Sequence, residues 1–387
     1  MEYQTPEHYW MKWQPKLLFI VSEDWYFVSH RLHLAEAAIA GGYQVALLSR
    51  ISNRRSLIES RGVKVIDWSL DRSSRNPFLE FLAIWELAVI MRRVRPDLVH
   101  AVALKPVLYS SLACKLAGVR ARVFALGGLG FVFSSRRFLA RWIRPLLLWA
   151  FRWALSGRHA RLILQNSDDQ ETLLAADVIE LERIRLIRGA GVDTLAFAPH
   201  AEAPGVPLVV LPARMLWDKG VGEFVDCARA IKQKGIKARF VLAGEPDTHN
   251  PECVPVEQLE TWMAEGVVEW WGLRTDMPEV LRQAAIICLP SYYREGVPKA
   301  LLEAASCGRP IVTYDAPGCR EVVVDGENGL LVPLKNKREL AAALEKLLHD
   351  PELRRRMGAA GRAMALREFS QEKVAADTMR VWEEVLA

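Results

Sequence analysis

Two carboxylates and two cations in the second half of the chain have the types and spacing to act on one ligand. Glu295 and Glu303 stand eight positions apart in "SYYREGVPKALLEAASCGRPIV" (291–312), and Arg214 and Lys219 five apart in "LPARMLWDKGVGEF" (211–224). An acid and nucleophile pair for glycoside hydrolysis needs carboxyl groups about 5–5.5 Å apart, or roughly 6.5–9.5 Å where water attacks directly. Pro298 is tolerated in a first helical turn, which places Glu295 in the preceding loop and Glu303 inside the helix. Eight helical residues span about 12 Å, so the spacing favours a two-point clamp on a long ligand. Carboxylates accept hydrogen bonds from hydroxyls, which makes sugar and ribose hydroxyls natural partners. Gly296 lets backbone approach the ligand, and the helix start offers amide N–H groups to phosphate. The plainer alternative is a loop acid followed by an ordinary helix glutamate.

Arg214 and Lys219 fall between a strand and a helix that opens near Gly220. Two cations at a helix start suit phosphate, with solvated loop cations as the alternative. Neither a G-x-x-x-x-G-K-[ST] loop nor a G-x-G-x-x-G after a strand occurs. Taken with the glutamates, the pattern fits a diphosphate flanked by two sugars. Arg214 and Lys219 would hold the diphosphate, one glutamate a ribose, and the other a transferable hexose.

The elements that must position these residues alternate short apolar runs with longer helical patterns, as βαβ units do. Strands are expected at 16–21, 44–48, 63–66, 97–102, 121–126 and 161–166. A second series falls at 207–212, 238–244, 266–272, 285–290, 310–315 and 329–333. Helices are expected over 29–40, 78–94 and 106–117. The Pro- and Ala-rich segment 196–207 reads as a linker between two doubly wound α/β domains. Ligands of such sheets bind beyond the carboxyl ends of the strands, and Arg214, Glu245 and Glu295 each follow a strand there.

Arg214, Lys219 and Gly220, then Gly272, Arg274 and Asp276 as G-x-R-x-D, then "PSYYREGVPKALLEAASCGRPIV", together resemble the family 4 retaining glycosyltransferases of the GT-B fold. "VSHRLHLAEAAIAGGYQV", "PDLVHAVALKP", "ALGGLGFVF" and "GAGVDTLAFAP" extend the resemblance to the bacterial subgroup that builds surface polysaccharides and lipid-linked oligosaccharides. The resemblance runs from Lys16 over nearly the whole chain. It implies an N-terminal extension (1–15), an N-terminal acceptor-binding and membrane-docking domain (16–197), and a C-terminal domain (198–371) binding a UDP-sugar, with helix 372–387 packing back on the first domain. It further implies that Glu295 contacts the donor sugar, Glu303 the ribose, and Lys219 and Arg214 the departing diphosphate. Gly296, Val297, Pro298, Lys299, Arg274 and Glu245 complete the donor set. The UDP-sugar is a substrate, and neither a cofactor nor a metal is expected. Relatives often carry a glycine-rich loop after the first strand and a His after the fifth; here those places hold "SEDWYFVSHR" and "GGLG".

The N-terminal half is expected to bring the acceptor. His30 is read at the start of the first helix and His100 at the end of the fourth strand, with Lys105 close behind, as catalytic or phosphate-binding candidates set against ordinary structural histidines. Gly127 and Gly128 either admit a sugar close to backbone or make a turn. From Ser134 to Gln165 there are seven arginines and no acid. At about 100° per residue Arg137, Arg141, Arg144 and Arg152 share one arc, with Trp142, Trp149 and Trp153 on the other side. Basic on one face and Trp-rich on the other describes a helix lying in anionic headgroups, against a core-packing helix or a nucleic-acid face. A polyprenyl-diphosphate-linked sugar acceptor would account for it, with no nucleic-acid partner.

The chain has 387 residues, half of them hydrophobic (51%), and a net charge of only +5, which is ordinary globular composition for two domains. Six scattered cysteines without metal-ligand spacing, a start lacking signal-peptide character and no long apolar run predict a cytoplasmic protein, and the basic, Trp-rich segment with its lipid-linked acceptor predicts peripheral attachment at the inner face of the cell membrane. Three readings result: a retaining glycosyltransferase moving a hexose or N-acetylhexosamine, a UDP-sugar 2-epimerase, or a non-catalytic lipid- or sugar-nucleotide-binding module.

Overall fold

The computed structural model describes residues 14–68, 76–129 and 148–387. A first sheet has seven strands: β1 (Lys16–Glu23), β2 (Gln44–Arg50), β3 (Lys64–Asp67), β4 (Leu98–Val102), β5 (Ala121–Leu126), β6 (Ala160–Leu164) and β7 (Ile184–Leu186), in the order β3-β2-β1-β4-β5-β6-β7. A second has six: β8 (Leu208–Pro212), β9 (Arg239–Ala243), β10 (Glu269–Trp270), β11 (Ile286–Leu289), β12 (Ile311–Tyr314) and β13 (Gly329–Val332), in the order β10-β9-β8-β11-β12-β13. The neighbours β1–β2, β1–β4, β8–β9, β8–β11 and β11–β12 pair in parallel. Strands β4, β5, β8, β11 and β12 are buried at every residue. Parallel strands covered on both faces read in sequence as continuous apolar runs, which is why those runs mark them.

The helices are α1 (Asp24–His30), α2 (Leu32–Ala40), α3 (Arg55–Ser60), α4 (Pro77–Val94), α5 (Leu104–Ala117), α6 (Ser167–Ala175), α7 (Val221–Gln233), α8 (Val256–Ala264), α9 (Met277–Gln283), α10 (Lys299–Ser306), α11 (Lys337–His349), α12 (Pro351–Met364) and α13 (Gln371–Leu386). Residues 148–154 are also helical. Helix α7 buries Val221, Phe224, Val225, Ala228 and Ile231, one face at helical spacing. Asn76 caps α4 by accepting from Phe78 N at 3.0 Å, with Pro77 in the first turn.

The chain divides into two compact units, Met1–Phe124 with Gly157–Ala160 and Trp382–Ala387, and Ala125–Ser156 with Arg161–Val381. In the first, Trp382 from the end of α13 is fully buried against Phe19 and Tyr43. In the second, two apolar layers cover the six-stranded sheet; one contains Val209, Leu211, Phe224 and Phe240, the other Val210, Ile287, Leu301 and Leu302.

Two local features differ from the sequence reading. The three-residue β7 carries too short a pattern to announce itself. The first helix starts at Asp24, not near residue 29, and breaks at Arg31 before α2. Asp24 is fully buried and accepts from Ser52 Oγ (2.6 Å) and from the backbone N–H groups of Ser52, Asn53 and Arg54. Burial pushes its carboxyl up, but these hydrogen bonds outweigh it and hold it below the usual range.

Candidate active site

The second unit gathers the strongest candidates at the carboxyl ends of β8 and β11. After β8 the chain makes a short 3-10 turn, Trp217–Lys219, and Gly220 opens α7 with φ 76°. A Cβ at Gly220 would stand 2.2 Å from the Pro290 carbonyl oxygen, at the end of β11. Only glycine meets both demands, so the Lys219 turn lies directly against the loop that carries Glu295. Lys219 Nζ donates to Glu295 Oε2 at 2.6 Å, and both side chains are largely shielded, 13% and 18% exposed. Ser291 Oγ donates to Glu295 Oε1 at 3.0 Å, so both carboxylate oxygens are held. Asp218, beside this pair, has its carboxyl raised by burial, with the Lys219 charge opposing the shift.

The Glu295 loop is fixed from its other side by residues the sequence reading did not single out. Arg294 donates to Asp169 Oδ1 (3.0 Å), Asp168 O (3.1 Å) and Thr172 Oγ1 (2.7 Å). Asp169 in turn accepts from Leu129 N (3.1 Å) and Asn166 Nδ2 (3.1 Å). Gly296 N donates to Gly127 O at 2.7 Å, and Val297 N to Gln165 Oε1 at 3.1 Å. Gly296 and Val297, the two residues before the N-cap of the following helix, thus spend their amides on protein acceptors. Gly128 (φ 117°) permits a backbone approach, and its neighbour there is Gly296: a Cβ would stand 2.6 Å from Gly296 N. Gly318 stacks on the same residue, its Cβ position 1.8 Å from Gly296 O.

Pro298 is the N-cap of α10, so Glu295 precedes the helix and Glu303 lies within it, as the spacing predicts. Glu303 is buried (9% exposed), its carboxyl raised by desolvation and pulled back by Lys299 Nζ at 3.4 Å. The other donor candidates are engaged separately. Arg214 Nη1 binds Asp247 at 2.5 Å; Glu245 is exposed after β9 and takes Met215 N on its carbonyl at 2.9 Å. Arg274 is held by Asp276 (Nε to Oδ1, 2.8 Å) over the Trp271 ring. Lys219, Glu295 and Ser291 form one cluster that none of these three joins in a contact among the described residues.

The candidates of the N-terminal half fare differently. His30 is the last residue of α1, not the first of a helix, and stacks on Tyr26 at 4.2 Å. His100 sits in mid-strand and is 1% exposed; Trp382 Nε1 donates to its Nδ1 at 3.0 Å and Phe19 packs 5.1 Å away. Burial and the Arg31 charge depress its pKa well below the ordinary value. His100 is thus a neutral core residue, which corrects its reading as a cleft group. Lys105 pairs with Glu80 at 3.0 Å. Arg137, Arg141, Trp142 and Arg144 lie outside the described residues. Trp149 and Trp153 are 64% and 38% exposed, and Arg152 is bound to the Asp177 carboxylate and carbonyl. Among the described residues no group of three or more His, Cys, Asp or Glu could hold a metal ion, and no helix is long and apolar enough to cross a membrane.

A sheet pair of this order, with a lysine and glutamate joined at two strand ends, defines the class: a two-domain α/β enzyme of GT-B architecture. Comparison with known proteins agrees. Residues 16–167 match the family model described as glycosyl transferase 4-like, and residues 193–364 that of glycosyl transferases group 1. The chain is 30% identical over 338 residues, 84% of its length and 87% of the other's, to the N,N'-diacetylbacillosaminyl-diphospho-undecaprenol alpha-1,3-N-acetylgalactosaminyltransferase of Campylobacter jejuni. It is 26% identical to the putative glycosyltransferase EpsD of Bacillus subtilis, over 92% of this chain and 93% of that one. Among solved structures, Anabaena Alr3699/HepE in complex with UDP superposes with a TM-score of 0.74 at 18% identity, covering 96% of this chain and 100% of that one. Sucrose-phosphate synthase from Thermosynechococcus elongatus gives 0.77 at 19%, with 96% and 98% covered. The chain belongs to the family 4 glycosyltransferases of GT-B fold. Glycosyl transfer is its activity class, in preference to epimerisation or ligand binding without chemistry.

Proposed function

We propose that this enzyme moves a hexose or N-acetylhexosamine from a UDP-sugar, with retention of anomeric configuration, to a polyprenyl-diphosphate-linked sugar in bacterial surface glycan synthesis. The observation that carries the reading is the Lys219–Glu295 contact of 2.6 Å at the ends of β8 and β11. A departing UDP gains negative charge at its diphosphate; a fixed, shielded ammonium stabilises that charge where solvent screening is weak. Glu295, held by Ser291 and Lys219, accepts from donor-sugar hydroxyls, and the buried Glu303 accepts from the ribose. Arg214, exposed beside the same strand end, reaches the diphosphate by exchanging Asp247 for phosphate. Lys219 and Arg214 supply the positive charge, so no metal is required. Retention follows when the acceptor hydroxyl attacks from the leaving-group face and a phosphate oxygen takes its proton; Glu295 is the fallback nucleophile.

UDP is bound by Alr3699/HepE, and the Campylobacter relative's name specifies a diphospho-undecaprenol acceptor; both support these assignments here. Peripheral association at the inner face of the membrane belongs to the same proposal. Phe78, Phe81 and Trp85 on α4 are more than half exposed, as is Trp149, which suits contact with lipid. The test is incubation with UDP-hexoses and UDP-N-acetylhexosamines together with a lipid-diphosphate-linked acceptor. A longer lipid-linked product is expected; UDP-sugar consumption without one would overturn the reading.

A further inference from the structure

Arg31 joins α1 to α2, and only 4% of it reaches solvent. Its Nη1 donates to the neighbouring His30 carbonyl at 3.3 Å, its Nε finds no acceptor, and among the described residues no carboxylate pairs with it. A guanidinium keeps its charge in a protein, and withdrawing such a charge from water without a counter-charge is strongly unfavourable. Two other arginines of like burial, Arg354 and Arg309, are compensated. Arg354 binds both oxygens of Glu202 and two helix-end carbonyls; Arg309 donates to the carbonyls of Leu281, His200 and Arg282. Arg31 alone of these three has no such set.

Its position in the topology is specific. Helix α2 follows β1 by way of α1, and α5 follows β4; β1 and β4 are neighbours at which the strand order turns outward in both directions. Such a switch point is where open α/β sheets bind ligands. Arg31 N donates to Phe27 O at 2.8 Å, and the Phe27 ring packs 5.5 Å from Phe19 of β1, the residue paired with His100 of β4, so this junction lies against the two strands. Ala103, the residue after β4, has φ 80° and ψ 163°, a conformation that side-chain-bearing residues rarely adopt.

We propose that Arg31 is the anion-binding group of a phosphate subsite at the β1–β4 switch point, taking the diphosphate of the acceptor. The assignment of a diphosphate rests on the acceptor class given above. A guanidinium offers two parallel N–H donors to phosphate oxygens, and the bound anion would be the counter-charge that the protein itself does not provide.

Thermal unfolding of the full chain, with UDP saturating the donor site, reads this out with inorganic pyrophosphate as probe. Wild type should melt higher as pyrophosphate is added. Arg31→Met should melt no lower than wild type without the probe, because an uncompensated charge has gone, and its response should need at least tenfold more pyrophosphate. Arg31→Lys should retain part of the response. With lipid-linked acceptor, Arg31→Met should raise the acceptor KM at least tenfold and leave the donor KM unchanged. An unaltered pyrophosphate response, or an Arg31→Met protein that melts well below wild type, overturns the proposal. So does loss of binding to phosphatidylglycerol vesicles with the pyrophosphate response intact, which would make a lipid headgroup the anion. An unchanged acceptor KM sinks the Arg31 subsite alone, whereas wild type that uses no diphosphate-linked acceptor sinks the functional reading instead.

Discussion

Lys219 Nζ and Glu295 Oε2 stand 2.6 Å apart although 76 residues separate them in the chain. The contact depends on Gly220, whose missing Cβ lets the end of one strand close on the next. It joins the group suited to a leaving diphosphate to the group suited to a transferred sugar.

Replacing Gly220 with Ala should therefore damage activity without touching a ligand. Its φ of 76° and the 2.2 Å approach to Pro290 O leave no room for a methyl group. A strained backbone position of this kind costs about 1–3 kcal/mol, and relief must move the Lys219 turn. Gly220→Ala should melt several degrees lower and turn over more slowly; thermal unfolding and an initial-rate assay check both.

Glu303 should show a trade between stability and binding. Its folded-state pKa is raised by burial, so the folded protein holds the proton more tightly than the unfolded chain does. The stability this group contributes is full below its unfolded pKa and is lost as pH rises through the folded value. Glu303→Gln should accordingly melt at or above wild type at neutral pH, with the difference vanishing at pH values below the ordinary glutamate range. A pH series of melting curves tests the sign.

The two glutamates should separate by calorimetry of UDP. Glu303→Ala removes a carboxylate acceptor from the ribose and should weaken UDP roughly tenfold to a hundredfold, the range for a hydrogen bond to a charged group. Glu295→Ala should leave UDP affinity nearly unchanged and impair transfer. Equal losses in both variants would refute the division of labour.

Metal independence follows from assigning the diphosphate to Lys219 and Arg214. Activity should persist in excess EDTA; a rate abolished by EDTA and restored by Mg²⁺ or Mn²⁺ would contradict that assignment.

Much of the fold is legible in the sequence because strands buried on both faces leave apolar runs such as "KLLFIV" and "AIICLP". Glu295, Lys219 and the start of α10 are legible too, since a proline, a glycine and two charges lie at fixed local spacing. What holds them is not. The partners of Arg294 and Val297, Asp169 and Gln165, are 125 and 132 residues away, and no local pattern announces a contact at that range. His100 is illegible for the same reason: a histidine in a strand looks alike whether it faces a ligand or a core. The residue that decides, Trp382, is 282 positions on. Arg31 is not legible either, because a basic residue between two helices resembles any solvated break, and only its burial sets it apart.

The central claim, that the paired strand ends of the second unit stabilise a departing UDP, is tested most directly by the transfer rate of Lys219→Ala at saturating donor and acceptor. Loss of one preorganised donor to a developing anion lowers turnover about 10²–10³-fold. That fall is predicted, with an unchanged circular dichroism spectrum. A correctly folded Lys219→Ala enzyme transferring sugar at a near-normal rate would contradict the account.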